Sequence, residues 1–176
     1  QLDGLGHMGI DHRYYNGVPV ADFVTTGGLT QYGTHTLPPV ATRGVLLDMT
    51  KAFGDPVAAG TAFNRAEIEA AAKAAGVKIE KGDIVLFHTG TMKASEGMKT
   101  LSPGEPGLGV EGAQYLADLG VVAIGADTWA IEVIPFEKET RPFDVHLTLL
   151  AKNGVYILEN MVTTELAADG VTEFFF

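Results

Sequence analysis

Lys81-Gly82-Asp83-Ile84-Val85-Leu86-Phe87-His88-Thr89 decides the fold of this chain. Lys-Gly-Asp is a turn signal, and the apolar run after it shows no alternation of polar and apolar residues. A short apolar run of this kind reads as a buried strand. Working outward, Arg43-Gly44-Val45-Leu46-Leu47-Asp48-Met49, Val121–Ala126 and Val155-Tyr156-Ile157-Leu158-Glu159-Asn160 read the same way. Between them lie helical patterns. In Arg65–Ala75, Ile68, Ala71, Ala72 and Ala75 recur at helical spacing, with Asn64 as N-cap and Gly76 as stop. Glu111–Leu119 is a short helix closed by Gly120, Val145–Lys152 is helical and capped by Asn153-Gly154, and Thr164–Ala168 is a helical turn. Strands alternating with helices predict an α/β class. The 176 residues suit one domain, residues 1–176, around one core.

The remaining segments are loops. Residues 1–20 carry four glycines and read as loop with one short strand, and residues 20–30 are at most weakly helical, broken by Gly27-Gly28. Residues 90–110, rich in Gly, Pro, Ser and Lys, are a candidate lid or pocket rim. Phe174-Phe175-Phe176 reads as a strand whose aromatics need a partner surface, and Gln1 opens the chain inside a polar cluster, so sequence is expected beyond both ends.

Composition narrows the chemistry. A net charge of −10 argues against nucleic acid and anionic membrane as partners, and no apolar run is long enough to span a bilayer. The absence of cysteine removes disulfides, thiolate ligands and a cysteine nucleophile, and fits a cytoplasmic location. Only Ser95 and Ser102 carry serine hydroxyls, and neither sits in a G-x-S-x-G turn. Carboxylates, five histidines and a metal remain for hydrolytic chemistry.

Gln1-Leu2-Asp3-Gly4-Leu5-Gly6-His7 places a carboxylate and an imidazole four residues apart among small residues. It reads as half of a divalent-metal site, with His146 and Glu159 as the other half. The plainer alternatives are an exposed loop Asp, a His bonding a carbonyl, and a strand-end Glu pointing into water. Asp127, Trp129 and Glu132 follow the carboxyl end of the third strand, where α/β proteins place ligands. Trp129, the sole tryptophan, is either a stacking surface for a ring or a core residue. Gly4-Leu5-Gly6-His7-Met8-Gly9 and Gly107-Leu108-Gly109-Val110-Glu111-Gly112 match G-x-G-x-x-G, but neither follows the strand that a dinucleotide site requires.

With these residues in hand, the opening stretch resembles the tail of the H-x-G-T-H-x-D-x-P-x-H signature of the metal-dependent cyclase family, which includes kynurenine formamidases and isatin hydrolases. It is similar to a longer branch that reads G-T-Q-x-D-x-L-x-H. Tyr15-Asn16-Gly17, Arg43–Asp48, His88-Thr89-Gly90, Asp127–Glu132 and Ile157–Asn160 resemble further blocks of the family, in its order. Tyr32-Gly33-Thr34-His35 echoes G-T-H, but Leu37 stands where the Asp belongs, so it is set aside.

The resemblance implies a swivelling β/β/α fold, a central mixed sheet flanked by helices, and a Zn or Mn cofactor. It makes Asp3, His146, Glu159 and Gln1 metal ligands and His7 the catalytic histidine. Gln1 stands where relatives have a ligating His, and an amide oxygen is a poorer zinc ligand than imidazole. Trp129, Asp127, Glu132 and Tyr15 become substrate-binding residues. The implied reaction is hydrolysis of a formamide, cyclic amide or lactone, with a small-molecule substrate and a homodimeric or homotetrameric assembly. The alternative is an inactive or truncated member that only binds a ligand or partner.

Overall fold

A computed structural model describes residues 1–96, 103–138 and 140–176. Its centre is a six-stranded sheet. We number the strands β1 (Leu2–Asp3), β2 (Arg43–Asp48), β3 (Ile84–His88), β4 (Ala123–Ala126), β5 (Tyr156–Leu158) and β6 (Glu173–Phe175). Their order across the sheet is β1-β5-β4-β3-β2-β6. The four inner strands run parallel, and both edge strands run antiparallel to their neighbours. The mixed sheet expected from the resemblance is present.

Both faces of the sheet are covered, which is why its strands read as unbroken apolar runs. Val45, Leu47, Val85, Phe87, Ile124 and Ile157 point into the larger core, against α1 (Arg65–Ala75), α2 (Val110–Leu119) and a helix over residues 144–153. Leu46, Ile84, Leu86, Ala123 and Leu158 point the other way, under α3 (Thr164–Ala168). The start of α1 is fixed twice: the Glu67 carboxylate accepts the Asn64 N–H at 3.0 Å, and the Asn64 side chain accepts the Gly112 N–H at 3.1 Å. The second bond ties α1 to α2.

Four differences from the sequence reading have physical causes. Residues 20–30 keep only one helical turn, a 3-10 turn at Val20–Asp22, before Val24–Thr25 and Gly28–Leu29 form a small hairpin around Gly27-Gly28. The final aromatics find a partner within the chain. Gly44 leaves the space that the Phe174 ring fills, and Phe174 and Phe176 join the second core while Phe175 stays exposed. The helix read at Val145–Lys152 covers residues 144–153, and after Asp144–His146 it widens into a π-helix over Leu147–Asn153. The proposed rim at residues 90–110 includes a helical turn at Thr91–Ala94 and a two-residue strand at Gly107–Leu108, while residues 97–102 lie outside the described residues. Among the described residues, no helix is long and apolar enough to cross a membrane.

Candidate metal centre and pocket

Strand pairing brings the two ends of the chain together. β1 runs antiparallel to β5, with Leu2 opposite Leu158 and Asp3 opposite Ile157. The ladder continues one residue further, because the Glu159 N–H donates to the Gln1 carbonyl at 3.0 Å and the Gln1 amine to the Glu159 carbonyl at 3.1 Å. Gln1 and Glu159 are therefore cross-strand neighbours, and their side chains meet. Nε2 of Gln1 donates to Glu159 Oε2 at 2.8 Å and to Asp3 Oδ1 at 3.0 Å.

His7 reaches the same place by a turn, its N–H donating to the Gly4 carbonyl at 3.0 Å. The glycines of this turn serve the chain itself. A Cβ on Gly6 would stand 2.8 Å from Leu29 Cδ1 and 3.2 Å from the Tyr32 carbonyl. The Tyr32-Gly33-Thr34-His35 segment, set aside in the sequence, thus packs on the metal-site turn. It lines a second open bay beside Asp3 and His7.

His146 enters from the 144–153 helix. Its Nδ1 lies 2.5 Å from Glu132 Oε1, and its Nε2 lies 3.2 Å from Glu159 Oε1 and 3.7 Å from Asp3 Oδ2. Burial disfavours the imidazolium, but the bonds to Glu132 and Glu159 outweigh burial and raise His146 to about 9. The Phe143 ring packs edge-on against the imidazole at 5.3 Å between centroids.

Whether these groups fit a divalent cation is decided by Asp3. Its Oδ2 is buried and has no hydrogen-bond partner among the described residues, yet stands 3.7 Å from His146 Nε2 and 3.9 Å from His7 Nε2. An orphaned buried carboxylate oxygen is costly. Ligand atoms each ~2.0–2.2 Å from a tetrahedral ion stand about 3.4 Å apart, close to these separations. The atoms that Asp3, His7 and His146 offer all lie within 4.8 Å of one another, and Glu159 adds a second carboxylate at His146. The donor set fits a divalent cation.

Gln1, His7, His146 and Glu159 line one end of an open pocket of about 440 Å³, whose walls are Met8, Trp129, Ala130 and Phe143. Trp129 is 49% exposed and no core residue. The other residues read as substrate-binding lie elsewhere. Glu132 is buried behind His146. Asp127, 1% exposed, accepts the Thr89 N–H at 2.8 Å and the Thr89 hydroxyl at 2.7 Å, tying β3 to β4. Tyr15 packs over Gly154, and its carbonyl accepts the Tyr32 hydroxyl at 2.9 Å. Sequence reasoning passed over one buried carboxylate, Glu105, that touches the pocket wall. Only its setting in Pro103-Gly104-Glu105-Pro106 could have flagged it.

The fold has counterparts in known proteins. Residues 1–133 match the family model described as a putative cyclase, and the chain belongs to that family. A crystal structure of a novel cyclase superposes with a TM-score of 0.83 at 29% identity, over 99% of this chain and 60% of that one. A predicted metal-dependent hydrolase from Bacillus stearothermophilus gives a TM-score of 0.57 at 21% identity, over 94% of this chain and 61% of that one. Isatin hydrolase A from Ralstonia solanacearum gives 0.60 at 15% identity, over 94% of this chain and 70% of that one. The last two likenesses concern the fold alone. The chain spans about 60% of the length of the first of these structures. No curated protein matches the sequence.

Proposed function

We propose that this chain is a metal-dependent hydrolase that opens the C–N or C–O bond of a formamide, cyclic amide or lactone. The observation that carries the reading is the buried, unpartnered Asp3 Oδ2 facing two imidazoles. Asp3, His146 and Glu159 would hold Zn or Mn, and Gln1 would align the two carboxylates through its Nε2. When bound, such a cation polarises a carbonyl and lowers the pKa of water.

The side chains divide the remaining work. His146 is held from both ring nitrogens and cannot swing. His7, with its side chain 48% exposed, is the solvent-accessible imidazole. It accepts the proton of the attacking water and returns one to the leaving nitrogen or oxygen. Trp129 offers a flat face for a substrate ring beside Met8 and Phe143. That isatin hydrolase A shares the fold makes isatin, a cyclic amide, the first compound to try.

The experiment is elemental analysis of the purified protein with and without Asp3→Ala, followed by hydrolysis assays on isatin, an N-formyl arylamine and an aryl lactone. About one metal per chain that disappears in the variant, with turnover of one of the three, is the expected result. A protein that takes up neither Zn nor Mn after incubation would overturn the reading and leave a ligand-binding member of the family.

A further inference from the structure

The exposed position of Trp129 raises the question of what holds it. Its ring is half in solvent, so core packing does not fix it. Its main chain is fixed from the other side. Glu105 is 6% exposed, and its two carboxylate oxygens divide between two consecutive amides. Oε2 accepts the Trp129 N–H at 2.8 Å, and Oε1 accepts the Ala130 N–H at 2.7 Å. A carboxylate bonded in this way commits both oxygens to two consecutive amides of one turn of chain.

The segments on either side are laced together. The Glu105 N–H donates to the Ile134 carbonyl at 2.8 Å and the Ile134 N–H to the Glu105 carbonyl at 2.9 Å. The Leu108 N–H donates to the Ile131 carbonyl at 2.8 Å and the Val133 N–H to the Leu108 carbonyl at 3.0 Å. Gly107 permits this approach, since a Cβ there would collide with the Ile131 carbonyl. The clamped loop is not a relaxed one. Ile131 has φ 55, in the left-handed region that a β-branched side chain disfavours. Strain of this kind persists only where neighbouring bonds over-determine the backbone, and Glu105 supplies two of them.

We propose that Glu105 is a positioning residue of the pocket: by accepting the N–H groups of Trp129 and Ala130, it fixes the wall on which a substrate ring rests beside His7 and His146. The inference rests on the hydrolase reading for its functional half, and on the two hydrogen bonds alone for its structural half. The setting is electrostatically expensive. Burial raises Glu105 to about 7, the two N–H bonds oppose the rise, and the carboxylates of Glu159 and Asp127 add to it. A Gln would carry no charge here at similar size, so charge repulsion does not explain the residue; the need for two acceptors on one side chain does.

The variant Glu105→Gln keeps the shape, accepts one N–H and presents an NH₂ group to the other. Three readouts test the proposal. First, amide exchange in the wild-type protein, followed by NMR, should show the Trp129 and Ala130 amides exchanging at least about tenfold more slowly than unstructured amides; exchange at free rates overturns the clamp. Second, Trp129 is the only tryptophan, so its fluorescence reports one site. Acrylamide quenching should increase about twofold in Glu105→Gln while a cooperative thermal melt and Mn(II) uptake persist, and unchanged quenching overturns the proposal. Third, with Mn(II) and isatin, KM should rise about fivefold with kcat within about twofold, the pattern of lost binding in the wall; a fall in kcat at constant KM overturns the positioning role. If the wild-type protein leaves isatin intact, isatin fails as the substrate, and exchange and quenching still decide Glu105.

Discussion

Oε1 of Glu132 stands 2.5 Å from Nδ1 of His146, and each side chain is only 3% exposed. The contact fixes the imidazole so that Nε2 faces Asp3 and Glu159. Carboxylates behind ligating histidines tune affinity by about 10–100-fold. Glu132→Ala should therefore weaken Zn or Mn binding by that factor in calorimetric titration, and Glu132→Gln, which keeps an oxygen acceptor for Nδ1–H, should weaken it less. Equal affinity in wild type and Glu132→Ala would show that the contact only packs.

The same contact sets a proton count. His146 is raised to about 9, so without metal it is an imidazolium at neutral pH. A metal ligand must present a bare Nε2, so uptake of Mn(II) at pH 7 should release about one proton from His146. Affinity should rise with pH up to about 9 and level off. The check is the dependence of the binding enthalpy on the ionisation enthalpy of the buffer. A slope near zero would mean that His146 is not a ligand.

Asp3 shows the cost of readiness. Asp3 shares the Gln1 amide and the His146 imidazole with the Glu159 carboxylate, and its Oδ2, buried without a hydrogen bond among the described residues, destabilises the metal-free fold. Asp3→Asn removes one charge and should raise the metal-free stability by about 1 kcal/mol while abolishing metal uptake. Chemical denaturation with EDTA present measures the first effect, and elemental analysis the second. A variant both less stable and still metal-loaded would contradict the assignment.

His7 separates chemistry from binding. Since its side chain is half exposed, His7→Ala should leave the melting temperature within about 2 °C, as surface substitutions do. It should retain metal and lower kcat by about 10²–10⁴-fold on any compound the wild type hydrolyses. A variant that loses metal together with activity would make His7 a ligand beside Asp3 and His146.

Much of the fold was legible because both faces of the sheet are buried. Ile84–His88 and Arg43–Asp48 could be read as strands without knowing their partners, and α1 carries its cap, its apolar spacing and its stop in the sequence. β1 was legible only as one short strand somewhere in residues 1–20: Leu2 and Asp3 form it because Leu158 and Ile157 lie opposite. The same long-range pairing makes Gln1 and Glu159 neighbours, a fact no local pattern encodes. Glu132 and Asp127 show the limit of placing ligands by strand ends. Both sit where substrate contacts were expected, yet one braces His146 and the other ties Thr89 to β4. Their direction depends on a loop held from Glu105 and Leu108, and residues distant in sequence decide it.

Asp83 gives a test of the fold independent of the site. Arg43 on β2 grips it from two nitrogens, Nε at 3.0 Å from Oδ1 and Nη2 at 2.7 Å from Oδ2, and the Glu80 N–H adds a bond at 2.7 Å. Burial pushes the Asp83 carboxyl up, but the Arg43 bonds and the Glu80 N–H outweigh it, so the carboxyl lies below its ordinary value. A carboxyl depressed by folding contributes stability that is complete above its unfolded value, about 3.9. That contribution is lost as pH falls through the lower folded value. The Asp83 side chain is 4% exposed and that of Arg43 34%, so the pair is partly screened. Asp83→Asn should lower stability at pH 7 by about 2–3 kcal/mol. Urea melts should then show the wild type losing its advantage over Asp83→Asn as pH drops below about 4. If the two stability curves instead run parallel from pH 7 to pH 2.5, Asp83 is not the ionised partner of Arg43, and the brace between β2 and the turn into β3 must come from elsewhere.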